Sequence, residues 1–422
     1  MNWLQRYRLR HYIQNSLWVF PVGAILTAVI LVRILHLVEQ SCGWTAPISA
    51  EAIRTVLATM AGAMFTFIVF ICSSLLLVVQ IASAQLTPRV IATLFQDSIT
   101  KLALSLFVFT FAFTISVMLR IESSVPLLTA EIAAWSSAAC ICVFLYLVDH
   151  VGKLLRPSGV LRSVAGRAHR VIDNVYPTRL RNAQESAVLP PQVHQEPNQT
   201  IASSTDGVVL AFDARGVVAL AARFDGVIEL APKIGTYVAP GDPLFRVYGG
   251  ANIPPLALRN SIALGAERTM EQDPMFAFRI IVDIASKGLS PAINDPTTAV
   301  LAIDRLHHLL RHIGGRNLDI EHVPDSTGRI RLIYRTPDWD DFVRLAVTEI
   351  RQFGSSSVQV MRRLRAMLES LIKTLPTERE ATLQHELNLL KSSADRVFQD
   401  PTDRALAAVS DEQGVGTSPQ PE

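Results

Sequence analysis

Along the first 150 residues the polar positions thin out in four places. Residues 12–32, 55–88, 102–119 and 132–148 contain no Asp, Glu, Lys, Arg or His. A hydrocarbon core of about 30 Å takes roughly 20 apolar residues as a helix. Four stretches therefore qualify as spans: Ser16–Val38, Val56–Ile81, Leu102–Leu119 and Leu127–Val148. The first is longer than the roughly 7–15 residues of a signal-peptide hydrophobic region, so it reads as an uncleaved span. Residues 1–150 are thus expected to form a four-helix transmembrane domain.

The pattern changes after residue 150. Residues 151–198 form a basic juxtamembrane segment and a linker, with Pro190–Pro191 as a helix breaker. Val208–Leu210, Val217–Leu220 and Val227–Leu230 are short β-rich runs set off by Gly turns, and predict a small β module over 199–250. Gly235-Thr-Tyr-Val238-Ala-Pro-Gly241-Asp-Pro243-Leu244 is similar to the closing hairpin of barrel-sandwich domains of the lipoyl and biotinyl type. A prosthetic-group carrier would need a modifiable Lys on an earlier hairpin. Lys233 sits beside the closing turn instead, so no cofactor is assigned.

Residues 251–398 are expected to be an α+β domain. Helices are predicted over 256–271, 274–287 with Asp273 as N-cap, and from Pro296 with Asp295 as N-cap up to Gly314–Gly315. Strands follow at 318–323 and 329–336, then helices near 339–353 and 354–374. Thr377-x-x-Glu380 reads as a capping box opening a last helix, and 399–422 as a disordered tail. The fold class is therefore an α-helical membrane domain with four transmembrane helices, followed by a cytoplasmic α+β region holding a barrel-sandwich-like β module.

Composition sharpens this picture. Half of the 422 residues are hydrophobic and only 18% are charged, against about 25% in soluble domains. The charge deficit belongs to the four gaps. A net charge of +2 gives no case for nucleic acid. Arg6, Arg8 and Arg10 precede the first span, and seven basic residues against one acid occupy 150–184. The intervening outer loops carry mixed charge, so the positive-inside rule places both termini in the cytoplasm. Arg outnumbers Lys 33 to 6, which fits a GC-rich bacterium and an inner-membrane location. The partners expected are the lipid bilayer and further copies of the chain, with a cytoplasmic protein partner left open.

The second gap is too long. Its 34 residues would reach about 51 Å as a helix. Thr59, Thr66, Ser73, Gln80 and Thr87 recur every seven residues, which keeps one polar seam only if the helix supercoils against neighbours. Two readings stay open. The seam is packing glue between membrane helices, or it lines a channel or polar conduit built by oligomerised copies.

Chemistry is sparse. Glu267, Arg268, Asp273, Arg279, Asp283, Lys287, Asn294, Asp295 and Asp304 crowd into 38 residues, and Arg279, Asp283 and Lys287 are spaced for i,i+4 salt bridges. Adjacent His307 and His308 point to different helix faces rather than to one metal. HExxH, GxxxxGK[ST] and GxSxG are absent. No catalytic residue and no metal set is assigned, and the chain is not read as an enzyme. The alternative function is a membrane-anchored sensory or partner-binding module with a ligand surface over 251–315.

Two motifs carry a family resemblance. Ser83-Ala-Gln-Leu-Thr87-Pro88-Arg89 closes the second span, and Asp283-Ile-Ala-Ser-Lys287-Gly-Leu-Ser290-Pro291-Ala-Ile-Asn294-Asp295-Pro296-Thr297-Thr298-Ala299 is long and specific. Together they resemble the bacterial membrane proteins of domain of unknown function 2254, over most of residues 10–370. Thr87 stands where the family pattern has Ser, Lys287 where it often has Arg, and Gly288 where it often has Ala. The resemblance implies four amino-terminal spans and a soluble region, with the motif residues Asp283, Lys287, Ser290, Pro291, Asn294, Asp295, Pro296 and Thr297 as a ligand or partner surface. It supplies no activity.

Overall fold

The computed structural model describes residues 1–42, 45–46, 49–85, 87, 89, 97–121, 125–154, 156–180 and 196–416. The Pro190–Pro191 linker, Trp44 and Pro88 lie outside them. The chain divides into two compact units: His11–Val160, and Leu161–Glu422 together with Met1–Arg10.

After α1 (Trp3–Asn15), the first unit holds α2 (Val19–Cys42), α3 (Ala50–Gln85), α4 (Ser98–Met118) and α5 (Leu127–Leu154). Four windows, Val19–Cys42, Ala50–Ser83, Ser98–Met118 and Leu128–Lys153, are long and apolar enough to cross a membrane. α4 is the middle of the bundle: 44% of its window is buried, against 17–22% for the other three. It packs on α2, α3 and α5. Phe113 and Val117 meet Ala28, Val32, Leu57 and Ala133 at one level, and Phe107 meets Met64, Ile71, Cys140 and Leu147 at another.

Several polar groups in this unit are satisfied by other helices. Asp97 caps α4 by accepting from the Thr100 amide at 2.8 Å, and His150 reaches the same carboxylate at 3.1 Å. Glu39, near the end of α2, is buried and accepts from the Thr129 amide at 2.9 Å, in the first turn of α5. The connections between α2 and α3 and between α4 and α5 meet in a short antiparallel pair, β1 (Thr45–Ala46) and β2 (Val125–Pro126). Of the four cysteines, all free, only Cys140 is buried.

In the second unit the region after residue 156 opens with α6 (Pro157–Val175), a helix within the segment expected only as basic and linking. Next come β3 (Gln199–Ala202), β4 (Gly207–Phe212), α7 (Ala214–Arg223), β5 (Val227–Leu230), β6 (Tyr237–Val238) and β7 (Pro243–Tyr248). After α8 (Pro255–Arg259) and β8 (Ile262–Gly265) follow α9 (Pro274–Gly288), α10 (Pro296–Gly314), β9 (His322–Pro324) and β10 (Ile330–Tyr334). Helices α11 (Trp339–Phe353), α12 (Val358–Thr374), α13 (Glu380–Val397) and α14 (Pro401–Ala407) complete it. One sheet runs β3-β7-β5-β10-β9, antiparallel except for β5 beside β10. The other runs β6-β4-β8, all antiparallel.

The expected β module is corrected in three ways. Val217–Leu220 is helical: Asp213 caps α7 by accepting from the Gly216 amide at 3.0 Å, and Val217 and Ala221 bury one face at i,i+4 spacing. The Gly235–Leu244 segment makes its glycine turns (φ +83° at Gly235, +95° at Gly241), yet it is no hairpin, because β6 pairs with β4 while β7 pairs with β3 and β5. No closed barrel forms among the described residues. Nor is residue 250 a boundary: β8 and β10, from beyond it, complete the two sheets, and Leu332 joins Ile228, Phe245 and Val247 in one core.

Elsewhere the helix predicted over 256–271 is only the short α8 followed by strand β8. Thr377 opens a 3-10 turn, Thr377–Arg379, and no side chain caps α13. The better-patterned elements match: Asp338 and Asp341 form a capping box at α11, which buries Trp339, Phe342, Val343, Ala346, Val347 and Ile350 along one stripe. Residues 399–416, within the expected tail, are folded, and 417–422 lie outside the described residues. Asp400 caps α14, and the buried Asp411 carboxylate accepts from the amides of Gln413 (3.1 Å), Gly414 (2.9 Å) and Gly416 (2.7 Å). Few apolar residues announce that clip, so composition alone suggested disorder.

Candidate functional site

Three features stand out: the α3 seam, the α9–α10 motif and an imidazole–carboxylate cluster between α6 and α10.

On α3 the buried residues recur every seven, as Leu57, Met64, Ile71 and Val78. Thr59, Thr66, Ser73 and Gln80 follow the same period on the opposite side and are exposed. The seam is therefore not glue within this bundle. The Thr59 and Thr66 hydroxyls donate to the carbonyls of Thr55 (2.9 Å) and Gly62 (3.0 Å), one turn back, which removes much of their cost in an apolar setting. A Cβ built on Gly62 meets nothing within 4 Å, so this face is flat and open. Thr87 departs from the pattern. It lies past the end of α3 and is buried.

The family motif builds the corner between α9 and α10. The Ser290 hydroxyl donates to the Lys287 carbonyl at 2.7 Å, and the Asp295 amide to the Gly288 carbonyl at 2.7 Å. Asn294 takes the left-handed conformation (φ +47°), which Asn tolerates better than most residues. Asp295 caps α10, accepting from the Thr298 amide at 3.1 Å and its hydroxyl at 2.5 Å, with Pro296 in the first helical position. Pro291, Asn294 and Thr297 are exposed on the corner.

Charges crowded in the sequence disperse in space. Arg279 holds Asp283 at 2.6 Å and forks onto Glu349 of α11, a partner 70 residues away. These two carboxylates push the Arg279 guanidinium up. Arg268 pairs with Asp273, whose carboxyl burial nevertheless raises, and Asp304 binds Arg363 at 2.6 Å. The nine residues do not make one site.

The cluster between α6 and α10 has no counterpart among the motifs. His169 and Asp173 are one turn apart on α6, and His308 and His312 one turn apart on α10. His312 Nε2 lies 2.8 Å from Asp173 Oδ1, and His169 Nε2 lies 3.8 Å from Asp173 Oδ2. The His169 ring stacks on His312 with centroids 3.7 Å apart, and on His308 at 5.6 Å. Arg316 also binds Asp173 Oδ1 and is anchored on the carbonyls of Tyr176 (3.3 Å) and Pro177 (3.0 Å). Burial opposes ionisation of Asp173, but the His312 hydrogen bond and the neighbouring positive charges outweigh it and hold the carboxyl below its ordinary value. Burial pushes His308 and His312 down. Adjacent His307 and His308 conceal the pairing that matters, His308 with His312. The HxxxD and HxxxH spacings are its only local signal, since α6 and α10 meet across 139 residues.

Four helices long and apolar enough to cross a membrane, followed by a helix-rich region with two small sheets, are the architecture of a multi-span membrane protein. The family described as "Predicted membrane protein (DUF2254)" matches residues 14–370, and the chain belongs to that family. Its relatives include uncharacterized proteins of Mycobacterium bovis and of Mycobacterium tuberculosis strain H37Rv, each 25% identical over 95% of this chain and 80% of the relative. No solved structure matches the chain.

Proposed function

We propose that the chain is an inner-membrane protein with both termini in the cytoplasm, and that it self-associates through α3 so that the seam faces neighbouring copies and lines a polar conduit. One observation carries this reading: Thr59, Thr66, Ser73 and Gln80 lie on the exposed side of α3, opposite the side that packs on the bundle. Polar residues at a strict seven-residue spacing suit a supercoiled contact between helices better than a lipid-facing stripe. The flanking basic residues before the first span and after the fourth support the orientation.

The test is cysteine crosslinking in native membranes, on a chain with its four cysteines replaced by Ser. Thr59→Cys, Thr66→Cys and Ser73→Cys crosslink between copies, whereas Met64→Cys and Ile71→Cys do not. Gly62→Leu fills the open face and abolishes the crosslink while the monomer folds unchanged. Reconstituted protein then passes ions or small solutes, and Thr66→Leu reduces that flux. A monomer without flux overturns the proposal.

A further inference from the structure

We infer that His169, Asp173 and His312 form a binding site for a divalent transition-metal ion of the zinc class, tying α6 to α10. The three side chains each offer a donor atom, and these atoms lie within 4.8 Å of one another. A tetrahedral zinc with bonds of about 2.0–2.1 Å sets its donors about 3.3 Å apart. His169 Nε2 lies 3.8 Å from Oδ2 of Asp173 and His312 Nε2 2.8 Å from Oδ1, so closure around one ion asks the carboxylate and both rings to rotate until one oxygen faces both imidazoles.

The donor set itself selects the metal. Imidazole with carboxylate suits zinc, nickel, copper or iron, whereas magnesium and calcium prefer all-oxygen sites. His169 Nδ1 is buried with no hydrogen-bond partner among the described residues, leaving an imidazole nitrogen unused next to the site. Arg316 is the feature that could exclude a cation. One of its terminal nitrogens is held on Oδ1 of Asp173 and lies 3.3 Å from His312 Nε2, and the other is held on two backbone carbonyls. An ion at Nε2 therefore requires the guanidinium to withdraw from His312, while Oδ2 stays turned toward His169. With Arg316 on Oδ1 as an outer-shell partner, Oδ2, His169 and His312 supply three protein donors, and water the fourth. Without metal the His312 Nε2–H donates to the Asp173 carboxylate; an ion bound at Nε2 replaces that proton, which leaves to Nδ1 or to solvent. His308, stacked beside His169, closes the site on its other flank.

The experiment uses the full chain in detergent, purified without a polyhistidine tag and stripped with a chelator. Zn2+ is titrated against a chromophoric chelator, and Co2+ binding is read by its visible ligand-field absorption. One equivalent per chain is expected to bind, with intense tetrahedral Co2+ bands, no thiolate charge-transfer band and a raised Tm. His169→Gln and His312→Gln each weaken Zn2+ binding at least tenfold, while His307→Gln, its neighbour on α10, binds as the parent does. Metal-free melting confirms that the variants fold. If one does not, the parent's Co2+ spectrum decides alone, because octahedral or thiolate-type bands exclude this donor set. Absence of Zn2+ binding to the parent, or undiminished binding by both folded variants, overturns the inference. Neither result bears on crosslinking at α3.

Discussion

The two units differ in where their hydroxyls and charges find partners. In the unit of Leu161–Glu422, charges find partners on other elements: Arg279 joins α9 to α11, Arg363 joins α12 to α10, and Arg331 bridges Asp225 and Asp325. In the membrane unit, Thr59, Thr66 and Thr114 return their hydroxyls to their own helix one turn back. Water lets the first unit select partners at a distance and screens its errors. Hydrocarbon offers neither service, so each polar side chain there must be satisfied nearby. Hydroxyls on the apolar helices therefore report helix faces, whereas charges report tertiary contacts in both units, as Glu39 does with Thr129 and Asp97 with His150.

The largest effect expected from this contrast comes from core truncation. Leu306→Ala, fully buried on α10, should cost about 2–5 kcal/mol, because transfer and cavity terms act together. Leu57→Ala, equally buried on α3, should cost less than about 2 kcal/mol, since lipid is as apolar as the site it leaves. Equal losses in denaturation of the full chain in micelles would break the comparison. Next in size, Asp295→Ala removes the α10 cap and should lower stability by about 1 kcal/mol. Thr66→Ala loses only a local back-bond and should stay within about 0.5 kcal/mol, so any larger change appears in association rather than in folding.

The smallest effect depends on pH. Hydrogen bonds from Arg331 and Thr327 hold the Asp325 carboxyl well below its ordinary value. A lowered folded pKa stabilises the protein above the unfolded pKa of about 3.9 and loses that contribution as pH falls toward the folded value. Asp325→Asn should therefore lower Tm at pH 7, and the gap from the parent should narrow below about pH 4. A gap independent of pH would assign Asp325 a purely geometric role in its turn.

How much was legible follows the same divide. Charge-free runs mark the spans because nothing else tolerates them, and Asp273, Asp295 and Asp338 mark helix starts because capping is local chemistry. Faces and partners were not legible. The period of seven on α3 belongs equally to Leu57–Met64–Ile71–Val78 and to Thr59–Thr66–Ser73–Gln80, and only packing shows which side is buried. Val217–Leu220 suits a strand or a helix until Asp213 caps it. Likewise the motif around Asp295 announced itself, but its local work is to build a corner, whereas the His169–His312 contact depends on two distant helices meeting.

Hydrophobic mismatch gives the length of α3 a further consequence. Its apolar window, Ala50–Ser83, is 34 residues, or about 51 Å of helix. Fitting that length inside a hydrocarbon layer of about 30 Å would need a tilt of roughly 54°, beyond the 0–40° that membrane helices adopt. About 21 Å of helix then emerges from the layer when α3 stands upright, and still about 12 Å at a tilt of 40°. Leu76 and Leu77 on that far half are exposed within the chain's own fold. A bilayer is too thin a solvent for α3, so part of the helix lies beyond the hydrocarbon at either end.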